Sequence, residues 1–196
     1  FPLGGGREIE VLHGIDMIVP AGKLTILKGT SGSGKTTLLN LLSALDRPTQ
    51  GQIYWGDKEI GKATEQEREC LRRKDMGFVF QTVALIPVMN AYENVDFGLR
   101  LAQTTEKREE RVRECLELVG LKNRMNHMPG EMSGGEQQRV AIARAIAHKP
   151  KVIFADEPTG ALDTNTGLAV MHLFKELIER ENVTIVMTTH DTNLME

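Results

Sequence analysis

Residues 24–45 read LTILKGTSGSGKTTLLNLLSAL, an apolar run, a glycine-rich turn and a leucine-rich stretch in immediate succession. The first four residues have the texture of a short buried strand. Leu38, Leu41, Leu42 and Leu45 recur at helical spacing. Between them Gly29, Thr30, Ser31, Gly32, Ser33, Gly34, Lys35 and Thr36 fit G-x-x-x-x-G-K-[ST] at every position. The glycines let successive backbone N–H groups curl around phosphate oxygens. Lys35 has the reach for β- and γ-oxygens, and the Thr36 hydroxyl suits Mg²⁺. Thr37 extends the helix start toward an α-phosphate. Strand, loop and helix in this order are the context that separates a phosphate-binding loop from a chance match.

Working outward, residues 76–80, 152–155 and 183–187 are further apolar runs, the last rich in β-branched side chains. Uninterrupted apolar strands predict a parallel sheet covered on both faces. Val170, Leu173, Phe174, Leu177 and Ile178 form one amphipathic helical stripe. Residues 88–132 differ in texture. Val112, Cys115, Leu116 and Val119 mark a helix, Gly120 its C-terminal cap and Pro129-Gly130 a break, with no strand signal. The pattern predicts an α/β core of residues 1–87 and 133–196 with an inserted α-helical subdomain at 88–132; the alternative is one long crossover within a single domain.

Other chemistry clusters at predicted strand ends. Residues 152–157, VIFADE, close a strand with two carboxylates. Asp156 is a candidate Mg²⁺ ligand and Glu157 a candidate base or orienter for an attacking water. Side-chain alternation along a strand would aim the two at different tasks. Gln81 follows the 76–80 run and offers an amide oxygen to Mg²⁺ or to water; it is equally a polar residue at a strand exit. His190 follows the 183–187 run, where it could bond a γ-phosphate and position Glu157. At 132–139, MSGGEQQR places Ser133 and Glu136 as a capping box, with Gly134 and Gly135 leaving the amides of a helix start bare, a ready anion site. His13, His127, His148 and His172 lie in no motif.

Composition excludes more than it assigns. The 196 residues carry a formal net charge of −3, which gives no electrostatic case for nucleic acid. The dense charges of 106–114 suit a solvated helix face. No apolar run approaches the ~20 residues that span a bilayer. Cys70 and Cys115 have no metal-type spacing and suit a reducing compartment.

The phosphate loop, Gln81, the Ser-Gly-Gly-Glu turn, the acidic strand end, Asp163 and His190, in that order, resemble the ATP-binding-cassette (ABC) ATPases across nearly the whole chain. The flanks, GFVFQ at 77–81, QQRVAIARA at 137–145 and ADEPTGALD at 155–163, are similar to the branch holding the lipoprotein-releasing, macrolide-export, antimicrobial-peptide-export and cell-division ATPases. The resemblance implies a P-loop NTPase (RecA-like) core hydrolysing ATP with Mg²⁺ held by Thr36, Gln81 and Asp156. It implies a head-to-tail homodimer around two ATP, in which Ser133, Gly134, Gly135 and Glu136 serve the nucleotide on the facing chain and Asp163 lies at the interface. Residues after Gln81, through Pro87, would meet an integral membrane permease, placing the ATPase peripherally on the cytoplasmic face. Cargo would be a lipoprotein, peptide or drug; a cell-division type driving a permease-like partner without cargo is the alternative. Three departures stand out: Met132 where Leu is frequent, Thr36 where Ser is frequent, and Phe1 as the one candidate to stack on adenine where Tyr is usual. The resemblance further implies that the domain is truncated at both ends here. Soluble relatives in DNA repair or translation carry coiled-coil insertions, tandem cassettes or basic surfaces not present in this sequence, and a non-hydrolysing switch would conflict with Glu157 and His190.

Overall fold

The computed structural model describes residues 2–3, 7–8 and 10–190; Phe1 lies outside them. Two short strands, β1 (Pro2–Leu3) and β2 (Arg7–Glu8), pair antiparallel. The run opened by Leu24 forms β3 (Leu24–Lys28), and the glycine loop delivers the chain into α1 (Lys35–Leu42). A hairpin of β4 (Tyr54–Trp55) and β5 (Lys58–Glu59) follows, then α2 (Glu65–Asp75) and β6 (Met76–Val79). Helices α3 (Ala91–Leu101) and α4 (Arg108–Leu118) precede α5 (Gly134–Ile146). The chain closes with β7 (Val152–Asp156), α6 (Thr164–Glu181) and β8 (Thr184–Thr189).

The main sheet has the order β3-β8-β7-β6, parallel throughout. Lys28 pairs with Thr189, Asp156 with Thr188 and Val79 with Ala155, so all four strands end along one edge. Their side chains alternate between two apolar clusters. Ile153, Ala155, Ile185 and Met187 join a cluster with α3, α4, α5 and α6, whereas Met76, Phe154 and Val186 join one with Leu39 of α1. Both faces are therefore covered, as continuous apolar strands require.

Residues 88–132 hold α3, α4 and two 3₁₀ turns (Lys122–Arg124 and Pro129–Glu131) and no strand. Val95, Leu99, Val112 and Leu116 pack into the same cluster as Val140 and Ile142 of α5. Helix α4 ends as the sequence suggests. Gly120 adopts φ 73°, its N–H donates to Glu117 O (2.9 Å) and that of Leu121 to Leu116 O (2.7 Å), the paired bonds of a Schellman cap. Close approach explains Gly77: a Cβ there would overlap the Ala145 carbonyl oxygen, so β6 and the end of α5 come together through the absence of a side chain.

Helix α2 has no apolar stripe and is fixed by charge. Thr64 and Glu67 form a capping box at its start. Arg68 is buried and donates to the Ala44 and Asp46 carbonyls, each at 2.7 Å, satisfying the orphan acceptors beyond the end of α1.

Candidate active site at the strand ends

The parallel register places the phosphate loop after β3, Gln81 after β6, Glu157 after β7 and His190 after β8, on one edge of the sheet. A crevice beyond the carboxyl ends of parallel strands is where such sheets bind ligands. Here the cleft measures about 630 Å³ and is lined by Ser31, Gly32, Gly34, Lys35, Thr36, Thr37, Gln81, Asp156, Glu157 and His190, with Val11 from the preceding segment.

Gly34 caps α1 in the left-handed region at φ 89°, and a Cβ on it would meet Leu12 Cδ2 at 2.9 Å. Both conformation and contact select glycine. The turn leaves Lys35, 9 % exposed, with its Nζ donating to Gly29 O (2.8 Å) and Thr30 O (2.9 Å). The ammonium is thus held across the mouth of the loop, 3.8 Å from Glu157 Oε1.

The two carboxylates do not diverge as strand alternation suggests. Asp156 is the last residue of β7, and Glu157 leaves the strand at φ 44°, a left-handed conformation costing a non-glycine residue on the order of 1–3 kcal/mol. The kink brings both into the same cleft. Asp156 accepts from Thr36 Oγ1 at 3.0 and 3.1 Å. Glu157 Oε2 lies 2.9 Å from His190 Nδ1. A Cβ on Gly160 would stand 3.1 Å from Gln81 Nε2 and 3.4 Å from Glu157 Oε2, so the bare glycine makes room for both.

Thr188, fully buried in β8, is a site residue that periodicity did not single out. Its Oγ1 donates to Asp156 Oδ1 (2.6 Å) and accepts from the Glu157 N–H (2.9 Å). One hydroxyl therefore sets the Asp156 rotamer and satisfies the amide of the kinked residue. The apolar run before it carried no hint, because the role depends on the register of β8 beside β7. Thr188→Val conserves shape but strands the Glu157 amide, at about 1–3 kcal/mol for an unsatisfied buried group. The expected result is a melting temperature lowered by several degrees and any reaction run at this cleft slowed by about tenfold or more, with ligand affinity little changed.

The second anion-type feature stands apart from this cleft. Ser133 caps α5: its Oγ accepts from the Glu136 N–H (3.2 Å), and Glu136 Oε2 accepts from the Ser133 N–H (2.9 Å). That bond from the Ser133 amide is the foremost cause holding the Glu136 carboxyl below its ordinary range. The cap is accordingly complete above the ordinary carboxylate range and is lost as pH falls through the lowered value. None of residues 133–136 lines the cleft. Gly135 lies against Thr166 at the start of α6, where a Cβ would overlap Thr166 Cγ2. Asp163 is the N-cap of α6, accepting from Thr166 N (3.1 Å) and Oγ1 (2.6 Å), and is exposed.

Further along α5, buried Gln138 donates from Nε2 to Pro158 O at 2.8 Å, the residue after Glu157. Asn94, wholly buried, holds the segment after Gln81 by accepting from Ile86 N (2.8 Å) and donating to Met89 O (2.8 Å) and Asn90 O (3.0 Å). Arg144 donates to Ala84 O in the same segment (2.6 Å).

Residues 12–160 match a family model described as ABC transporter. The chain is 46 % identical over 191 residues to an uncharacterized ABC transporter ATP-binding protein of Methanocaldococcus jannaschii, covering 97 % of this chain and 85 % of that one. It is 46 % identical over 193 residues to the lipoprotein-releasing system ATP-binding protein LolD of Legionella pneumophila, covering 98 % and 85 %. It is 43 % identical over 195 residues to the macrolide export ATP-binding/permease protein MacB of Syntrophobacter fumaroxidans, covering 98 % of this chain but 27 % of that protein. Among solved structures, an ATP-binding cassette in a dimeric post-hydrolysis state with ADP and Pi superposes with a TM-score of 0.88 at 40 % identity, covering 99 % of this chain and 85 % of that one.

Proposed function

This chain belongs to the ABC transporter family and is an ATPase of the ATP-binding-cassette type, and we propose that two copies enclose two Mg-ATP and together power an integral membrane permease. The observation that carries the reading is the separation, within one chain, of the capped Ser133–Glu136 turn from the cleft of Lys35, Glu157 and His190. A turn with bare amides and no nucleotide cleft of its own finds a use when it faces the cleft of a second copy. The dimeric state of the cassette solved with ADP and Pi supports it. Similarity to LolD and MacB favours release or export of a lipoprotein, peptide or drug. Residues 82–87, held by Asn94 and Arg144, would form the permease contact, with 88–132 as the helical subdomain carrying it. No helix among the described residues is long and apolar enough to cross a membrane; attachment to the cytoplasmic face would run through the permease.

In this reading the loop amides and Lys35 hold the β- and γ-phosphates. The donors beside them are hard oxygens, the Thr36 hydroxyl, the Asp156 carboxylate and the Gln81 amide. Among the described residues there is no cluster of three or more His, Cys, Asp or Glu that could form a separate metal cage. That set fits Mg²⁺, which prefers one or two protein ligands alongside phosphate and water. Thr36, Asp156 and Gln81 would hold Mg²⁺ beside the phosphates, and the ion would supply neutralisation of the charge that develops there. Glu157 orients the water on the γ-phosphorus and takes its proton as the new P–O bond forms. The electron pair of the breaking bond leaves on the ADP β-phosphate oxygen. His190 keeps Glu157 aimed and bonds the γ-phosphate.

Hydrolysis measured across about a hundredfold dilution of the protein at saturating Mg-ATP is expected to fall per chain as pairs dissociate. Lys35→Ala is expected to lose nucleotide binding altogether. A rate per chain independent of protein concentration would exclude the shared-site arrangement.

A further inference from the structure

The Ser133 turn carries a conflict of charge. Its amides and hydroxyl suit a phosphate, yet the carboxylate that caps it, Glu136, is ionised and lies within hydrogen-bonding distance of the Ser133 N–H. A γ-phosphate arriving on the facing chain meets that negative charge. Glu136 uses Oε2 for the cap. Its other oxygen, Oε1, lies 3.2 Å from Arg124 Nε. Arg139 is the other cation acting on this carboxylate.

Arg124 is not a loose surface arginine. A second arm, Nη1, lies 3.0 Å from His127 Nε2. Guanidinium can only donate, so Nε2 is the acceptor and His127 carries its proton elsewhere. Backbone bonds close the turn beneath them: Arg124 N–H to Leu121 O (2.9 Å) and His127 N–H to Arg124 O (3.0 Å). The turn is in turn fastened to the start of α3, where Ala91 N–H donates to His127 O (3.0 Å) and Tyr92 N–H to Met125 O (2.9 Å). The Glu136 side chain is only 17 % exposed, against 47 % for Arg124, and the guanidinium lies against its Oε1.

We propose that Arg124, braced by His127, is a positioning residue for hydrolysis: it neutralises Glu136 and fixes it as the cap, so that the Ser133–Gly135 turn accepts the γ-phosphate held by a second copy. The inference rests on the shared-site reading above and adds a residue outside every recognised motif.

The test is a double-mutant cycle on the intact chain, reading hydrolysis against protein concentration, ATP affinity of the dilute protein and melting temperature. Arg124→Ala is expected to leave affinity and melting temperature unchanged, to lower kcat about tenfold and to raise the protein concentration needed for half-maximal rate. Arg124→Lys, which keeps the charge, is expected to recover most of the loss. In a Glu136→Gln background, where the amide oxygen still caps Ser133 but no charge needs neutralising, Arg124→Ala is expected to have no further effect. Equal losses in both backgrounds, or a loss of affinity or melting temperature in the dilute protein, overturn the proposal while leaving the shared site standing. A wild-type rate per chain that ignores concentration overturns both.

Discussion

Glu157→Gln is expected to slow ATP hydrolysis by about 10²–10⁴-fold, the usual worth of a positioned base, while ATP binding persists and an ATP-bound pair accumulates. The substitution keeps the shape that fits beside Gly160 and can still meet His190 Nδ1, 2.9 Å from Oε2 in the native site. It removes the capacity to take a proton from water. It also removes a negative charge from a cleft built for polyphosphate, where Lys35 Nζ stands 3.8 Å from Glu157 Oε1. With that repulsion gone and turnover blocked, the closed pair should outlast the native one. Phosphate release and size-exclusion chromatography with saturating Mg-ATP check both halves. A variant that remains monomeric under those conditions would show that nucleotide does not hold two chains together.

If two chains share each ATP as proposed, Gly134→Asp should have a comparable effect on rate from the facing chain, and for the opposite reason. A Cβ at Gly134 meets nothing within 4 Å, and the residue opens α5, where an acidic side chain is favourable next to the helix dipole. The isolated chain should therefore fold as well as before and bind ATP normally. In the pair, however, the new carboxylate would face a γ-phosphate. Losing a charge-stabilising element supplied in trans costs 10³–10⁵ in rate in phosphoryl-transfer enzymes, about 4–7 kcal/mol of barrier, and like-charge repulsion adds to it. A mixing experiment follows from the geometry. Lys35→Ala destroys the loop and spares the turn; Gly134→Asp does the reverse. Each alone should be inactive, yet their heterodimer holds one intact loop opposite one intact turn. An equimolar mixture should regain about a quarter of native activity, if pairs form at random and the two sites act independently. No recovery on mixing would mean that loop and turn act within the same chain.

The sequence was most legible where chemistry coincides with a strand end. Lys35, in the glycine loop after one apolar run, and Gln81, Glu157 and His190, after three others, line a single cleft, and the parallel register explains why they converge. The capping box at Ser133 was equally visible, because it needs only local spacing. What stayed hidden depends on neighbours distant in the chain. Thr188 looks like the polar tail of a strand until β8 lies beside β7. The shared placement of Asp156 and Glu157 contradicts simple alternation, because the strand stops between them at a left-handed residue. Helix α2 escaped periodicity for another reason: its buried anchor is Arg68 rather than an apolar stripe. The β4–β5 hairpin has strands of two residues each, too short for alternation to register. The expected adenine contact of Phe1 lies outside the described residues.

Helix α5 has a consequence of a mechanical kind. Its thirteen residues make a rod of roughly 20 Å at 1.5 Å per residue. The rod begins at the Ser133 turn, is pinned by Gln138 to the backbone just past Glu157, and ends with Ala145 pressed on Gly77. Stiff bodies move as wholes. If a second chain's nucleotide meets the turn as proposed, a push there would be passed along the rod to the backbone just past Glu157. Under the proposed sharing of sites, one helix would then join the place that senses the facing chain's phosphate to the mount of this chain's own Glu157.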